Sequence, residues 1–276
     1  MSQDTGKFRK NTNDQFYTRV DVAKSCIDEI LKHYADSSKY YWIEPSAGNG
    51  AFLKQVPEGI ESFGMDIDPK DPQITKQDYL KWFPATSKKI LVFGNPPFGR
   101  QSATAKAFIK HSAVFANIIA FILPLSFVKS SMNKAFPERF HCVVSKELPV
   151  NSFEINGQSY DVPCVFQIWE RRDEMRQITE KIQPIGFQYV KSNTAFDLAF
   201  RRVGVYAGKS FKHGEKTFSE QSHYFLQFDN QFKPNLQKIQ DQINAKQYPE
   251  NTVGPRSISK QELNPIINQI LQNLSS

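Results

Sequence analysis

Cysteine is scarce in this sequence. Cys26, Cys142 and Cys164 are the three in 276 residues, and they lie far apart. An odd, scattered set fits neither a disulfide framework nor a knuckle built on paired cysteines, so all three are expected as core thiols. The five histidines show no HxxxH or cysteine-paired spacing, and no metal is expected. Long apolar runs are missing as well. The strongest, Ile118 to Leu125, contains Pro124 and falls far short of the roughly 20 residues a membrane helix needs, so it reads as a buried strand and no membrane partner is expected. The first residues, MSQDTGKFRKNTND, lack the apolar core of an export signal, which points to a cytoplasmic location, or a nuclear one in a eukaryote. There is no convincing internal repeat and no low-complexity tract.

What is present argues for folding and for a polyanionic partner. Aromatic residues make up 13% of the chain and charged ones 23%, with apolar residues throughout, which suits one full-sized domain plus a smaller unit. The formal net charge is +7. The excess gathers beyond residue 170, in Arg171-Arg172, Arg201-Arg202, Lys209, Lys212, Lys216, Arg256 and Lys260. Such a distribution favours nucleic acid, although solvated basic faces give the same sign.

Hydrophobic periodicity predicts an amphipathic helix over Asp21 to Tyr34, carried by Val22, Cys26, Ile27, Ile30, Leu31 and Tyr34, with Thr18 placed to cap its start. Short β-rich runs follow at Tyr40 to Glu44, Ser62 to Asp66, Ile90 to Gly94 and Ile118 to Leu123. Helical segments are expected between them at Gly50 to Val56 and Thr104 to Phe115. Alternation of this kind predicts an α/β fold with a doubly wound, mostly parallel sheet. Phe140 to Leu148 and Cys164 to Glu170 read as strands whose connection, containing Asn156-Gly157, leaves no room for a crossover helix, so an antiparallel terminal hairpin is expected. From residue 172 the pattern loosens, with β-rich sequence at His223 to Phe228 and helical spacing around Leu236, Ile239 and Ile243 and over Ile266 to Leu274. The expected division is therefore 1–171 and a smaller C-terminal domain, 172–276.

Four segments at strand ends carry chemistry. Glu44-Pro45-Ser46-Ala47-Gly48-Asn49-Gly50 is a glycine-containing turn that lets backbone approach a ligand, and it equally suits an ordinary βα turn. Asp66, with Asp68 second, stands where a carboxylate can accept both hydrogen bonds of a ribose diol, or simply order a turn. Asp78 is placed to accept from an adenine amino group or to cap a helix. Gly94-Asn95-Pro96-Pro97-Phe98-Gly99 is the most informative. An aromatic amino nitrogen is a poor nucleophile because its lone pair is delocalised into the ring. Acceptance of its two N–H bonds by the Asn95 side-chain oxygen and the Pro96 carbonyl lets it move toward tetrahedral geometry. Pro96 and Pro97 stiffen the loop, and Phe98 offers a ring to stack on a flipped base.

The ordered set Phe16-Tyr17-Thr18, EPSAGNG, DID, QDYL and GNPPF resembles the class I S-adenosylmethionine-dependent amino methyltransferases, in particular the N6-adenine enzymes of DNA modification. The resemblance covers about residues 14 to 170. It implies a Rossmann-like fold and S-adenosyl-L-methionine as cofactor, held by Phe16, Tyr17, Thr18, Glu44, Pro45, Gly48, Gly50, Asp66 and Asp78, with Asn95 bordering both cofactor and base. It implies that Asn95, Pro96, Pro97 and Phe98 are catalytic and that Phe153, between the last two strands, lies against the target base. It also places target recognition after the catalytic domain, where Arg201 and Arg202 would contact phosphates, Lys209 and Lys212 with them, and Tyr206 or Tyr224 would supply aromatic contacts. The implied substrate is adenine in DNA, with RNA the alternative. Guanine N2, a protein glutamine amide, or a catalytically silent nucleic-acid-binding subunit remain as competing readings.

Overall fold

The computed structural model describes residues 16–155, 157–177, 181–215, 217–248 and 256–275. Asn156 and Lys216, singled out above, lie outside them. The chain divides near residue 178 into two compact units. The division falls beyond residue 171 because the segment after the last strand stays with the first unit: the Arg176 guanidinium donates to the carbonyls of Phe140 and Asn133 at 3.0 and 3.1 Å.

The first unit runs β1 (Tyr17–Thr18), α1 (Val20–His33), β2 (Tyr40–Glu44), β3 (Ser62–Asp66), β4 (Thr75–Lys76), β5 (Lys89–Gly94), α2 (Ala103–Phe115), β6 (Ile118–Pro124), β7 (Phe140–Glu147), β8 (Phe153–Ile155), β9 (Gln158–Tyr160) and β10 (Cys164–Arg171). Seven strands form one sheet in the order β4-β3-β2-β5-β6-β10-β7. The pairs from β4 to β6 are parallel, whereas β10 is antiparallel to both its neighbours. This is the doubly wound, mostly parallel sheet with an antiparallel terminal hairpin expected from the sequence.

Burial explains why β6 reads as an unbroken apolar run: all seven of its residues are buried, so both faces of the sheet are covered there. Ile119, Phe121 and Leu123 join Ile43, Val92 and the α2 residues Ala105, Phe108 and Ile109 in one core cluster. On β2 and β5 the alternate residues Trp42 and Phe93 meet edge to face at 5.2 Å, and Phe52 reaches Phe93 at 6.4 Å.

Three local expectations are corrected. Gly50 to Val56 forms no α-helix but turns and a short 3-10 segment, Leu53–Gln55. Two positive-φ glycines, Gly48 and Gly50, leave too few residues before Pro57 for a helix to nucleate. Thr18 does not cap α1; it pairs in β1 with Phe153, and Arg19 stands at the cap position with its guanidinium on Asp21 at 2.9 Å. Cys26 and Cys164 are core thiols, but Cys142 is exposed on the edge strand β7, beside a register shift at Ile168/Trp169.

The second unit holds β11 (Phe187–Val190), β12 (Leu198–Arg201), β13 (Ser210–Lys212), β14 (His223–Phe228), α3 (Leu236–Ala245) and α4 (Lys260–Ser275). Its strands form an antiparallel sheet in the order β11-β14-β12-β13. Phe200 and Leu226 of the sheet share a core with Ile239 and Ile243 of α3 and Leu263 and Ile267 of α4. Among the described residues no helix is long and apolar enough to cross a membrane.

Trp169 on β10 is 1% exposed, stacks on Phe136 at 4.0 Å and donates its indole N–H to Gln167 Oε1 at 3.0 Å. Trp169→Ala is expected to cost about 3–5 kcal/mol in urea unfolding. A loss below about 1 kcal/mol would contradict this packing.

Candidate active site

In an open α/β sheet the ligand crevice lies at the carboxyl ends of the strands where the strand order reverses. Here the reversal falls between β2 and β5: the chain proceeds from β2 to β3 on one side and from β5 to β6 on the other. Glu44 ends β2 and Gly94 ends β5. The two are pressed together. A Cβ on Gly94 would lie 3.1 Å from Glu44 Cγ, and its φ of +123° is closed to other residues. A cavity of about 620 Å³ opens at this point.

The cavity brings together Phe16, Tyr17, Thr18, Glu44, Pro45, Gly48, Asp66, Asp78, Asn95, Pro96, Pro97 and Phe98. These come from four loops and from β1, distant in sequence and all expected from it. Among the described residues neither lysine nor arginine lines the cavity, whereas Glu44, Asp66, Asp68 and Asp78 do; Lys70 pairs with Asp68 at 2.5 Å and Lys81 with Asp78 at 3.2 Å. Carboxyl groups lining a cavity suit a ligand carrying positive charge better than one carrying phosphates.

The glycine turn is tied to the next strand end. Gly48 has φ +53°, and a Cβ there would meet the Tyr17 ring at 3.2 Å. Its N–H donates to Asp66 Oδ2 at 2.8 Å, while the Asp68 N–H donates to Asp66 Oδ1 at 2.8 Å. Both Asp66 oxygens are thereby oriented, and each keeps a further lone pair for a hydroxyl donor. Asp78 caps the 3-10 turn Tyr79–Lys81 by accepting from the Leu80 N–H at 3.1 Å, and it still lines the cavity. Sequence reasoning missed Ile67 and Leu80, which line the same wall while 70% and 39% exposed. Both are apolar side chains within two residues of a candidate aspartate, Ile67 next to Asp66 and Leu80 two after Asp78.

Glu44 is 2% exposed, and its Oε2 has no hydrogen-bond partner. Burial pushes its carboxyl up to about 8, with a smaller contribution from the negative charge of Asp66, against the lowering effect of a backbone N–H at Leu53. A cation or N–H donor entering the cavity would satisfy that oxygen and return the group toward its ionised form.

Asn95 shows the complementary pattern. Its amide nitrogen donates to the Phe16 carbonyl at 3.3 Å, and Ser46 Oγ donates to the Asn95 carbonyl at 3.0 Å. A carbonyl only accepts, so the Phe16 contact fixes which end of the amide is which. Asn95 Oδ1 is left buried without a partner, as is Thr18 Oγ1. Phe98 is 6% exposed, its ring 6.5 Å from that of Phe16. Gly99 follows with φ +67°, and a Cβ there would collide with Thr104.

Four expected site residues stand outside the cavity. Gly50 shapes the turn without lining it. Phe153 is fully buried, because β8 pairs with both β1 and β9 and turns its ring onto Phe16 at 6.2 Å, so it packs rather than facing a base. The aromatic residue of that hairpin that remains half-buried is Tyr160, stacked on Phe16 at 5.3 Å and 15°. Arg201 and Arg202 belong to the second unit, where they bond the carbonyls of Val203 and Gln221 at 3.2 and 2.9 Å.

No protein-family model matches the chain, and no curated protein matches it. Similar solved structures include a Pyrococcus horikoshii protein assigned as an RNA methyltransferase, with 13% identity over 59% of this chain and 90% of that one at a TM-score of 0.46. A Listeria monocytogenes protein assigned as a class I S-adenosylmethionine-dependent methyltransferase shares 16% identity over 61% of this chain and 64% of that one, with a TM-score of 0.46. The M protein of the type I restriction enzyme EcoKI shares 14% identity over 58% of this chain and 45% of its own, with a TM-score of 0.42.

The raised Glu44 carboxyl makes a prediction about folding. An unfolded glutamate ionises near 4.3, so between that value and about 8 the native state holds the extra proton and stability falls as pH rises. Glu44→Gln removes the titration. Its stability relative to the natural protein is expected to improve by roughly 1 kcal/mol per pH unit over that window, read from urea midpoints at pH 5, 6, 7 and 8. Parallel pH profiles for the two proteins would refute the assignment.

Proposed function

We propose that the chain is an S-adenosylmethionine-dependent methyltransferase acting on the N6 amino group of adenine in nucleic acid, DNA in the first place. The observation that carries this reading is Asn95 Oδ1: a buried acceptor without a partner, oriented by the Phe16 carbonyl and followed by two prolines, at the mouth of an acidic cavity. Bound S-adenosyl-L-methionine would supply a methyl group made electrophilic by its sulfonium. The residues fit that cofactor. The unpartnered Glu44 oxygen suits its cationic methionine half, the free lone pairs of Asp66 suit a ribose diol, and Ile67 and Leu80 give apolar cover for an adenine ring beside Asp78.

The chain's own part in the reaction is positioning and acceptance. Asn95 Oδ1 and the Pro96 carbonyl accept the two N–H bonds of the target amino group, which draws its lone pair out of conjugation and toward the methyl carbon. The amine that results is acidic enough to release its extra proton to water, so no strong base is required. Phe98 and the Phe16–Tyr160 stack give an aromatic surround for the displaced base. The second unit, with its basic residues, is the part we assign to target binding.

Labelled cofactor offered to duplex DNA, single-stranded DNA and structured RNA, with nucleoside digestion and mass spectrometry, tests the reading. N6-methyladenine is the expected product. Label on guanine, or only on a protein glutamine, would replace it with one of the competing substrates, which present the same delocalised amino group. Asn95→Ala is expected to lower the transfer rate by about 10²–10³-fold while cofactor affinity by calorimetry changes little. Transfer at near the natural rate in that variant would defeat the mechanism.

A further inference from the structure

A second, smaller cavity lies wholly in the second unit. It measures about 170 Å³ and is lined by Tyr189, Lys191, Glu220, Tyr224 and Lys260 among others. Two tyrosine rings from neighbouring strands, Tyr189 on β11 and Tyr224 on β14, meet edge to face at 5.4 Å. Two cations lie over them. The Lys260 ammonium, from the first turn of α4, is 4.0 Å from the Tyr189 centroid and 5.6 Å from that of Tyr224, and the Arg202 guanidinium is 5.3 Å from the Tyr224 centroid.

What these cations lack is an acid. Among the described residues neither Arg202 nor Lys260 has a carboxylate within ion-pair distance; Arg202 donates to the Gln221 carbonyl at 2.9 Å. The carboxylate of Glu220, at the rim, is turned to Ser192, whose N–H and hydroxyl reach its Oε1 at 3.0 and 2.6 Å. Glu262 accepts from the Ser259 N–H and hydroxyl at 2.8 Å each. Partial desolvation against the rings lowers the Lys260 ammonium below its ordinary range. Each of these cations is held against a tyrosine face without a counter-charge, and an anion within reach of it would offset that cost.

We infer that Lys260 and Tyr224, which line the cavity, and Arg202, which reaches the Tyr224 ring without lining it, form a binding subsite for one phosphodiester group of a nucleic-acid strand. The cavity is too small for a nucleotide and large enough for a single phosphate group. Its rim residues Lys191, Glu220 and Lys260 are exposed, which leaves the site open for a strand to run across it. The tyrosine rings offer the flat apolar surface that a sugar or base next to the phosphate would cover. The inference rests on the reading of nucleic acid as the substrate, and it gives that reading a specific anchor in the second unit. The acidic cavity of the first unit cannot provide one.

The test is oligonucleotide affinity of the full chain against salt concentration, for the natural protein, Lys260→Gln, Arg202→Gln and the double variant, with duplex and single-stranded probes. Each substitution is expected to weaken binding about tenfold at low salt and to reduce the slope of log affinity against log salt by about one, on every sequence alike. Lys260→Arg should restore most of the slope, which a merely unfolded variant would not do, and cofactor affinity in the first unit should be unchanged. If the natural protein binds but the variants keep its slope, the subsite is wrong. Competition by inorganic phosphate at constant ionic strength, with oligonucleotide affinity unaffected by the substitutions, would make this a free-anion site and overturn the proposal. No oligonucleotide binding by the natural protein would also overturn it. A reduced slope in the variants together with absent methyl transfer would leave the subsite standing and remove the proposed reaction.

Discussion

The cavity depends on how closely two strand ends can approach where the sheet reverses its order. β2 delivers a carboxylate, Glu44, and β5 delivers a glycine, Gly94, with φ +123° and room for a hydrogen only. Any side chain at Gly94 would drive Glu44 outward and fill the space that Asn95 borders. Because both residues end parallel strands whose neighbours diverge, the chain after each is free to form a loop over a common crevice. The Ser46 hydroxyl bond to the Asn95 carbonyl then ties those two loops together across the opening.

A second consequence concerns charge. Burying Glu44 with one oxygen unpartnered is costly, and the structure meets that cost by favouring the protonated group rather than by supplying a lysine or arginine. Asp66 is treated differently. Two backbone N–H groups hold it in place, each on its own oxygen. The same wall therefore holds one carboxyl kept neutral by burial and one carboxylate held by the backbone. The other two carboxylates of the lining are met by lysines, Asp68 by Lys70 at 2.5 Å and Asp78 by Lys81 at 3.2 Å, whereas in the second unit Arg202 and Lys260 rest on tyrosine faces.

Much of this was legible in the sequence, for physical reasons. Strands β2 and β3 were bounded to the residue because apolar runs ended by proline, glycine or aspartate leave little freedom. β5 and β6 differed by one residue at an end. Most of the main-cavity residues were legible because they follow the carboxyl ends of strands, where side chains are not needed for the core; Phe16 and Tyr17, before and in β1, were legible only through the resemblance. The failures were tertiary. Phe153 lies in a short hairpin whose partner, β1, is more than a hundred residues away, and no local pattern shows that pairing. It also decides that Tyr160, not Phe153, keeps a partly open ring. Gly50 to Val56 has helical composition, yet the φ values of Gly48 and Gly50 spend that segment on the turn. Ile67 and Leu80 were passed over because an exposed apolar residue in a loop is ordinary until a cavity is seen beside it.

The bond from Asn95 to Phe16 limits which side chains could both be held here and present an acceptor to the cavity. An amide offers a donor on one atom and an acceptor on the other, and the Phe16 carbonyl takes the donor. Aspartate is nearly the same shape, but at neutral pH it has no hydrogen to give. One of its oxygens would face the Phe16 carbonyl, and the repulsion would turn the group away from the cavity. Serine could accept from a target amino group but is too short to reach both places. Glutamine carries the same amide on a longer, freer stem, so the acceptor would lose its fixed aim. Orientation by one hydrogen bond and acceptance by the other end of the same group are thus a single requirement. Phe16 meets it through its backbone because β1 is held against β8, so the otherwise unrelated hairpin that buries Phe153 is part of what aims Asn95.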